Sequence, residues 1–346
     1  MSIYIICLNK YGGIMFSFIK EMLICPACHG ELIWEIINEN KTHIIEAEIK
    51  CQKCNNEYVV KNGVGCFVKY EKSFDDGWQN AENWLTNLLA ENPDIMEKLM
   101  VADIEEMNAA DIMVRGIICR KEGNVAEATK LSEISIKKRY KEEQTKALFG
   151  QLDYVVNSLK DEKNIILDVA SGLGDLVQKL LENTDVCIIS SDISFHVMEK
   201  AKKSTEEKGY GDRVSYIAFD LNKSPFRNKS IKIITTFFGL QNIVSPVRIF
   251  NEIRRICDGK LYSICNFCCD ENSKNIKVLE EDGSAEMWLK NKYINEFDKV
   301  GFTSVVENSI ITFNELTLVG KIAKGVTIDN FPVEPGDFEY AVVISS

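Results

Sequence analysis

Ile165-Ile-Leu-Asp168-Val-Ala170-Ser-Gly172-Leu-Gly174 is the stretch that decides the fold of this 346-residue chain. An apolar run ends in Asp168, passes through a turn of small residues, and enters the helical pattern Leu176, Val177, Leu180, Leu181. Strand, small-residue turn and helix in immediate succession place a binding loop at the carboxyl end of a parallel strand. Gly172 and Gly174 lack the side chains that would keep a ligand off the backbone, and the following helix offers unpaired N–H groups at its start. A tight turn that binds nothing has the same short signature, so the surrounding sequence has to arbitrate.

About twenty residues beyond the glycines a second apolar run, 186–189, ends in Ser190, Ser191 and Asp192. That is the position where a carboxylate accepts bonds from both hydroxyls of a ribose. A dinucleotide fingerprint needs a third small residue three places after the second glycine, and Val177 stands there instead. Asp168, ahead of the glycines, would repel a pyrophosphate but suits the ammonium and sulfonium of S-adenosylmethionine (SAM). Charge therefore favours SAM over a nicotinamide dinucleotide.

From Ile165 to about Phe267 the chain resembles the class I SAM-dependent methyltransferases, in the large group that includes the ubiquinone and menaquinone methyltransferases. Asp168, Gly172 and Gly174 match the Asp-x-x-x-Gly-x-Gly motif, with Ala170 where the family usually has another glycine. Asp192 matches the acidic end of the second strand, with Ile193 after it for the adenine face; Asp220 and Leu221 resemble the pair that reads the adenine amino group. Ser224, Pro225 and Phe226, then Asn228 to Ile234, resemble the segment leading into the fourth strand. Asn251, Glu252, Ile253 and Arg254 resemble the E-x-x-R helix, and Gly259 to Tyr262 the start of the fifth strand. The resemblance implies an α/β, Rossmann-like fold with a seven-stranded, mostly parallel sheet, and SAM as cofactor. It is nearly silent on the methyl acceptor. Two departures stand out: the Ala170 methyl is tolerable if φ there is negative, and Lys232 replaces an acidic residue as a surface change. Phe237, in the run Thr235 to Asn242, is placed at the methyl end of the pocket, and nothing there resembles an Asn-Pro-Pro-Tyr motif. No general base is evident.

Upstream, Cys25-Pro-Ala-Cys28 and Cys51-Gln-Lys-Cys54 form two knuckles separated by twenty-two residues. Four thiolates close a tetrahedral zinc site with no open position, which makes the metal structural. Disulfides or redox pairs are the competing reading, and the absence of a secretion signal weighs against them. His29 is surplus to the four ligands. Leu23 to Leu32 with Cys51, Cys54, Tyr58 and Gly63 resemble the small zinc-ribbon activator subunit of tRNA and translation-factor methyltransferases, and the ribbon fused to a bacterial rRNA guanine methyltransferase. That resemblance implies a role in stabilising the catalytic domain or engaging substrate.

The expected organisation is an N-terminal extension (1–19), a zinc ribbon (20–72), a helical linker or cap (73–160) and a methyltransferase domain (161–346). In the linker, Trp78, Trp84, Leu85, Leu88 and Leu89 mark an apolar helix face, and 110–119 and 126–136 flank the turn Glu122-Gly123-Asn124 as one helical hairpin. Tyr140 is a candidate contact over the crevice, against a plain packing role. Residues 286–297 read as one helix, Gly301-Phe302 opens the sixth strand, Phe338–Ile344 is the last, and 313–337 is expected to add a hairpin. Cys265, Cys268 and Cys269 read as packing residues ahead of a covalent or metal role, and His196 as a surface or cofactor-edge residue.

A formal charge of −11 disfavours tight binding to a phosphate backbone. The best basic cluster, Lys137, Lys138, Arg139 and Lys141, runs straight into Glu142 and Glu143 and reads as a solvated face. The run Ile3–Leu8 is too short to span a membrane, Met15 is an alternative start, and twelve cysteines without a signal suit a reducing cytoplasm. Three readings remain: a methyltransferase acting on a small molecule, peptide or protein; an RNA methyltransferase using its ribbon; and a SAM-binding scaffold without turnover. The acceptor and the oligomeric state are left open.

Overall fold

The computed structural model describes residues 15–40, 42–68, 77–243, 247–269, 273–316, 318–329 and 331–346. Residues 1–14 of the expected extension, and the side chain of Trp78, lie outside the described residues.

The strand–turn–helix signature opens the domain it announced. β6 (Ile166–Asp168), α6 (Asp175–Asn183), β7 (Ile188–Asp192), α7 (Phe195–Glu207) and β8 (Val214–Ala218) follow as successive βα units. β9 (Ile231–Phe237), α8 (Val247–Ile256), β10 (Cys257–Cys268), α9 (Ser273–Glu281), α10 (Ala285–Trp288), α11 (Lys290–Lys299), β11 (Ser304–Asn314) and β12 (Gly336–Ser345) complete it. In space the strands run β8-β7-β6-β9-β10-β12-β11. The five from β8 to β10 are mutually parallel, β12 is antiparallel to β10, and β11 to β12. The order reverses between β6 and β9, and a ligand crevice opens at the carboxyl ends of strands at such a switch point. The glycine loop sits at that point.

The ribbon contributes β1 (Met15–Phe16), β2 (Leu32–Glu39), β3 (His43–Cys51), β4 (Glu57–Lys61) and β5 (Val64–Cys66). β5 pairs in parallel with β8, Gly65 opposite Ile217, so the two sheets merge into one of twelve strands. The 224–226 segment seals the join: Ile24 N donates to Pro225 O at 2.7 Å, and Arg227 N donates to Met22 O at 2.8 Å. Arg227 also forks onto Glu31. One hydrophobic core runs across the seam, with Phe16, Ile19, Leu23 and Tyr58 from the ribbon against Ile217, Phe219 and Phe226. Full burial of a side chain such as Phe226 stabilises by about 2–3 kcal/mol.

Between the two lie α1 (Gly77–Glu91), α2 (Pro93–Val101), α3 (Ala109–Lys121), α4 (Val125–Arg139) and α5 (Glu142–Leu159). Asn108 and Asn124 start α3 and α4 by accepting from the N–H groups of Asp111 and Glu127. The helical face of α1 differs from its reading: Leu85, Leu88 and Leu89 pack inward, whereas Trp84 is half exposed. α1 is pinned to α7 by polar groups instead, since Glu82 accepts from His196 Nε2 at 2.8 Å and from Lys200.

Three other expectations need correction. The 286–297 helix is two, because the chain leaves helical angles at Leu289. Among the described residues 315–335 contain no strand, so no hairpin is added there. Their backbone is held instead by Asp111, fully buried, whose carboxylate accepts from the N–H groups of Lys321, Ile322 and Ala323 at 2.9–3.0 Å. In the E-x-x-R helix it is Arg255, not Arg254, that pairs with Glu252; Arg254 stacks over Phe302. Arg255 also donates to the carbonyls of Ser224 and Phe226, which fixes the segment that docks the ribbon.

Candidate SAM and zinc sites

Asp168 ends β6 as a fully buried carboxylate that accepts from Thr235 Oγ1 at 2.5 Å. Burial pushes its pKa up to about 7, Thr235 opposes the rise, and the nearby charge of Asp192 adds to it. Two carboxylates thus face one crevice in which ionising both is unfavourable. A cationic ligand relieves that repulsion, and this fits SAM better than any phosphate.

The loop beyond Asp168 takes left-handed angles at Ala170 (φ 50°), Gly172 (φ 53°) and Gly174 (φ 89°). The negative φ on which a harmless Ala170 depended is absent. Its methyl group occupies a conformation costing roughly 1–2 kcal/mol. The loop has little room beside it: a Cβ on Gly239 would lie 2.6 Å from Ala170 Cβ and 2.5 Å from its carbonyl oxygen. Gly239 is therefore part of the loop's support, and its need is invisible locally because the contact partner is distant in sequence.

Asp192 ends β7, almost buried, and its two oxygens are spread between two loops: Oδ2 accepts from Gly172 N at 3.0 Å and Oδ1 from Ser194 N at 3.1 Å. Ile193 beside it is 40% exposed, a ledge at the mouth of the crevice. Asp220 follows β8, and its Oδ1 accepts from Asn222 N at 2.9 Å to close a short turn in which Leu221 is buried. The structure thus brings Asp168, Ala170, Gly172, Gly174, Asp192, Ile193, Asp220 and Leu221 to the carboxyl ends of three adjacent strands. Phe237 ends the fourth strand, half-buried, its ring 4.5 Å from that of Phe238.

Beyond it the strand ends meet a group of half-buried rings. Phe237, Phe238, Tyr140, Trp288 and Phe331 pack against buried Cys268, Phe338 and Tyr340. Tyr140 is in this packing, with the Arg139 guanidinium 4.4 Å from its ring centre. Cys265 lies on the far side of the sheet, fully buried, its thiol pushed up to about 12 by desolvation. A thiol so placed is no nucleophile. Lys232, as expected, is a surface residue, paired with Asp258.

At the ribbon the sulfur atoms of Cys25, Cys28, Cys51 and Cys54 lie within 4.8 Å of one another. The Cys25–Cys54 and Cys28–Cys51 separations are 3.6 and 3.5 Å. Tetrahedral zinc with bonds of about 2.3 Å requires sulfurs about 3.8 Å apart, whereas a disulfide requires about 2.05 Å. The four thiols fit structural zinc. Burial raises the Cys51 thiol, but N–H donation from Cys54 and Lys53 outweighs it and brings the value to about 6. Gly30, one of the residues that carry the ribbon resemblance, has no room for a side chain: a Cβ there would lie 2.8 Å from Lys53 Cβ and 3.1 Å from Cys51 Sγ.

Comparison with known proteins agrees with both halves. Residues 166–259 match the family described as "Methyltransferase domain", and residues 19–63 the one described as "Trm112p-like protein". Among curated proteins, the ubiquinone/menaquinone biosynthesis C-methyltransferase UbiE of Hahella chejuensis is 26% identical over 93 residues, 26% of this chain and 37% of that protein. The UbiE of Rickettsia prowazekii is 28% identical over 127 residues, 35% of this chain and 50% of that protein. The chain therefore spans half or less of the length of these two relatives. Among solved structures, the YcgJ protein of Bacillus subtilis is 13% identical with a TM-score of 0.45, covering 57% of this chain and 97% of that one. Strand order and loop order agree with the two family matches: residues 166–259 have the Rossmann-like fold of a SAM-dependent methyltransferase domain, and residues 19–63 form a Trm112p-like zinc ribbon.

Proposed function

We propose that the protein transfers a methyl group from SAM to a small-molecule acceptor, with the ribbon serving as a built-in structural support for the SAM domain. The observation that carries this reading is the pair of facing carboxylates, Asp168 and Asp192, at the switch point of the sheet. SAM, when bound, supplies an electrophilic methyl group on a sulfonium centre. The chain's own part is to hold and orient. Asp192 accepts from the ribose hydroxyls, exchanging its bond from Gly172 for charge-assisted bonds to the ligand. Asp168 meets the cationic methionine end, Ile193 and Leu221 flank the adenine, and the second oxygen of Asp220 is offered to an exocyclic amine. Phe237 and Phe238 exclude water beside the methyl group, where proximity and desolvation supply most of the rate.

An RNA acceptor is disfavoured by what happens to the basic cluster. Lys138 donates to the carbonyls of Ile104, Glu105 and Met107, Arg139 pairs with Asp329, and Lys141 pairs with Glu315. Little cationic surface is left there to meet a phosphate backbone. Among the described residues no helix is long and apolar enough to cross a membrane.

Calorimetry tests the SAM reading. Asp192→Ala should weaken SAM binding by roughly 10- to 100-fold, the worth of one to two charge-assisted hydrogen bonds. An unchanged affinity would refute the placement of the ribose.

A further inference from the structure

Few buried side-chain polar atoms among the described residues lack a hydrogen-bond partner, and two of them, Thr236 Oγ1 and Asn266 Oδ1, stand near the carboxyl ends of the neighbouring strands β9 and β10. The hydroxyl of Thr236 turns toward Gly239, within the SAM loop's support. Asn266 lies farther out. Its backbone is clamped by Gln241, which accepts from Asn266 N and donates to Asn266 O, both at 2.8 Å, while also donating to Met287 O. The side chain is thus placed by a rigid backbone, and its oxygen is left unpaired.

Asn266 is directly opposite Tyr340 in the antiparallel β10–β12 ladder, so the two side chains share a face of the sheet. Tyr340 stands edge-on to Phe238 at 6.3 Å, within the ring cluster that includes Phe237, Tyr140, Trp288 and Phe331. One strand, β9, lies between Asp168 and Asn266, about 10 Å apart across the sheet, and Asn266 stands about 13 Å farther toward the carboxyl ends than Tyr262, the residue level with Asp168. Two of the polar groups near these rings have partners of their own. Tyr340 OH accepts from Asn314 Nδ2 at 3.1 Å, and Arg139, the cation beside Tyr140, is paired with Asp329. Among the described residues, aromatic faces and paired polar groups thus surround one unpaired amide oxygen.

Resting on the methyltransferase reading above, we propose that Asn266 selects the methyl acceptor, which is a planar, uncharged small molecule presenting one O–H or N–H to the Asn266 amide oxygen. A site with a buried unpaired acceptor discriminates strongly against an analogue that lacks the donor.

The test uses 2-naphthol and 2-methoxynaphthalene as probes, matched in ring and differing in the donor, titrated into full-length zinc-loaded protein saturated with S-adenosylhomocysteine. Wild type should bind 2-naphthol about tenfold more tightly. Asn266→Leu should erase that preference, and Asn266→Asp, which keeps an acceptor oxygen, should retain it. SAM affinity, measured separately, should be unchanged in both variants. If Asn266→Leu fails to fold, Asn266→Ala and the wild-type comparison carry the test. Absence of a preference in wild type, absence of probe binding, or a preference that survives Asn266→Leu overturns the proposal while leaving the SAM reading intact. Failure of wild type to bind SAM removes both.

Discussion

Asp168 couples a proton to the fold through a single buried side chain. Its pKa of about 7 lies well above the value of about 3.9 for a free aspartate. In the unliganded protein this group holds its proton over a range in which the unfolded chain has lost it. Its contribution to stability is complete below pH 4 or so and is lost as the pH climbs through about 7. A cationic ligand selects the ionised form, so SAM binding should release a proton, and affinity should fall as pH drops below about 7. Calorimetry between pH 5.5 and 8 in buffers of different ionisation enthalpy reads both quantities. A flat profile, or one that Asp168→Asn leaves unaltered, would count against Asp168 as the cation's partner.

Gly30 and Asp111 act at the scale of elements, each holding a loop that its own neighbours in sequence do not define. Gly30 lets the first knuckle close against the second. Gly30→Ala must push Lys53 and the Cys51 sulfur aside, and zinc retention in competition with a chelator should weaken by roughly tenfold or more. Retention equal to wild type would show that the knuckles can move apart freely. Asp111 joins α3 to the 321–323 backbone by three charge-assisted bonds. Asp111→Ala leaves three N–H groups without that acceptor in a buried setting and should destabilise by about 3 kcal/mol or more in urea unfolding. A loss under about 1 kcal/mol would mean that water replaces the carboxylate. The elements themselves were legible in periodicity and caps, because those signals are local. The break at Leu289 and the strandless stretch 315–335 were not, since nothing in their own composition records what packs on them.

Across the whole molecule the main structural event is the continuation of one sheet from ribbon to SAM domain. The β5–β8 ladder and a shared hydrophobic core make the zinc site a support of β8, the strand that leads to Asp220. Zinc removal should therefore lower the thermal stability of the whole protein, on the order of 10 °C, in a single transition. Two transitions, with the SAM domain melting at its original temperature after chelation, would separate the ribbon from that role. Calorimetric scans of the holo and chelated protein distinguish these outcomes.

Short-range patterns were sufficient for the strand–glycine loop–helix, the acidic strand ends and the pair of C-x-x-C knuckles, because each is a contiguous stretch whose residues meet one another. They carried the fold class and both cofactors. The merging of the two sheets, the left-handed Ala170 against Gly239, the Glu252–Arg255 clamp beneath the ribbon, and the unpaired oxygen of Asn266 among aromatic rings depend on residues tens to hundreds of positions apart. Burial and strand register created those contacts, and only the folded chain brings their partners together.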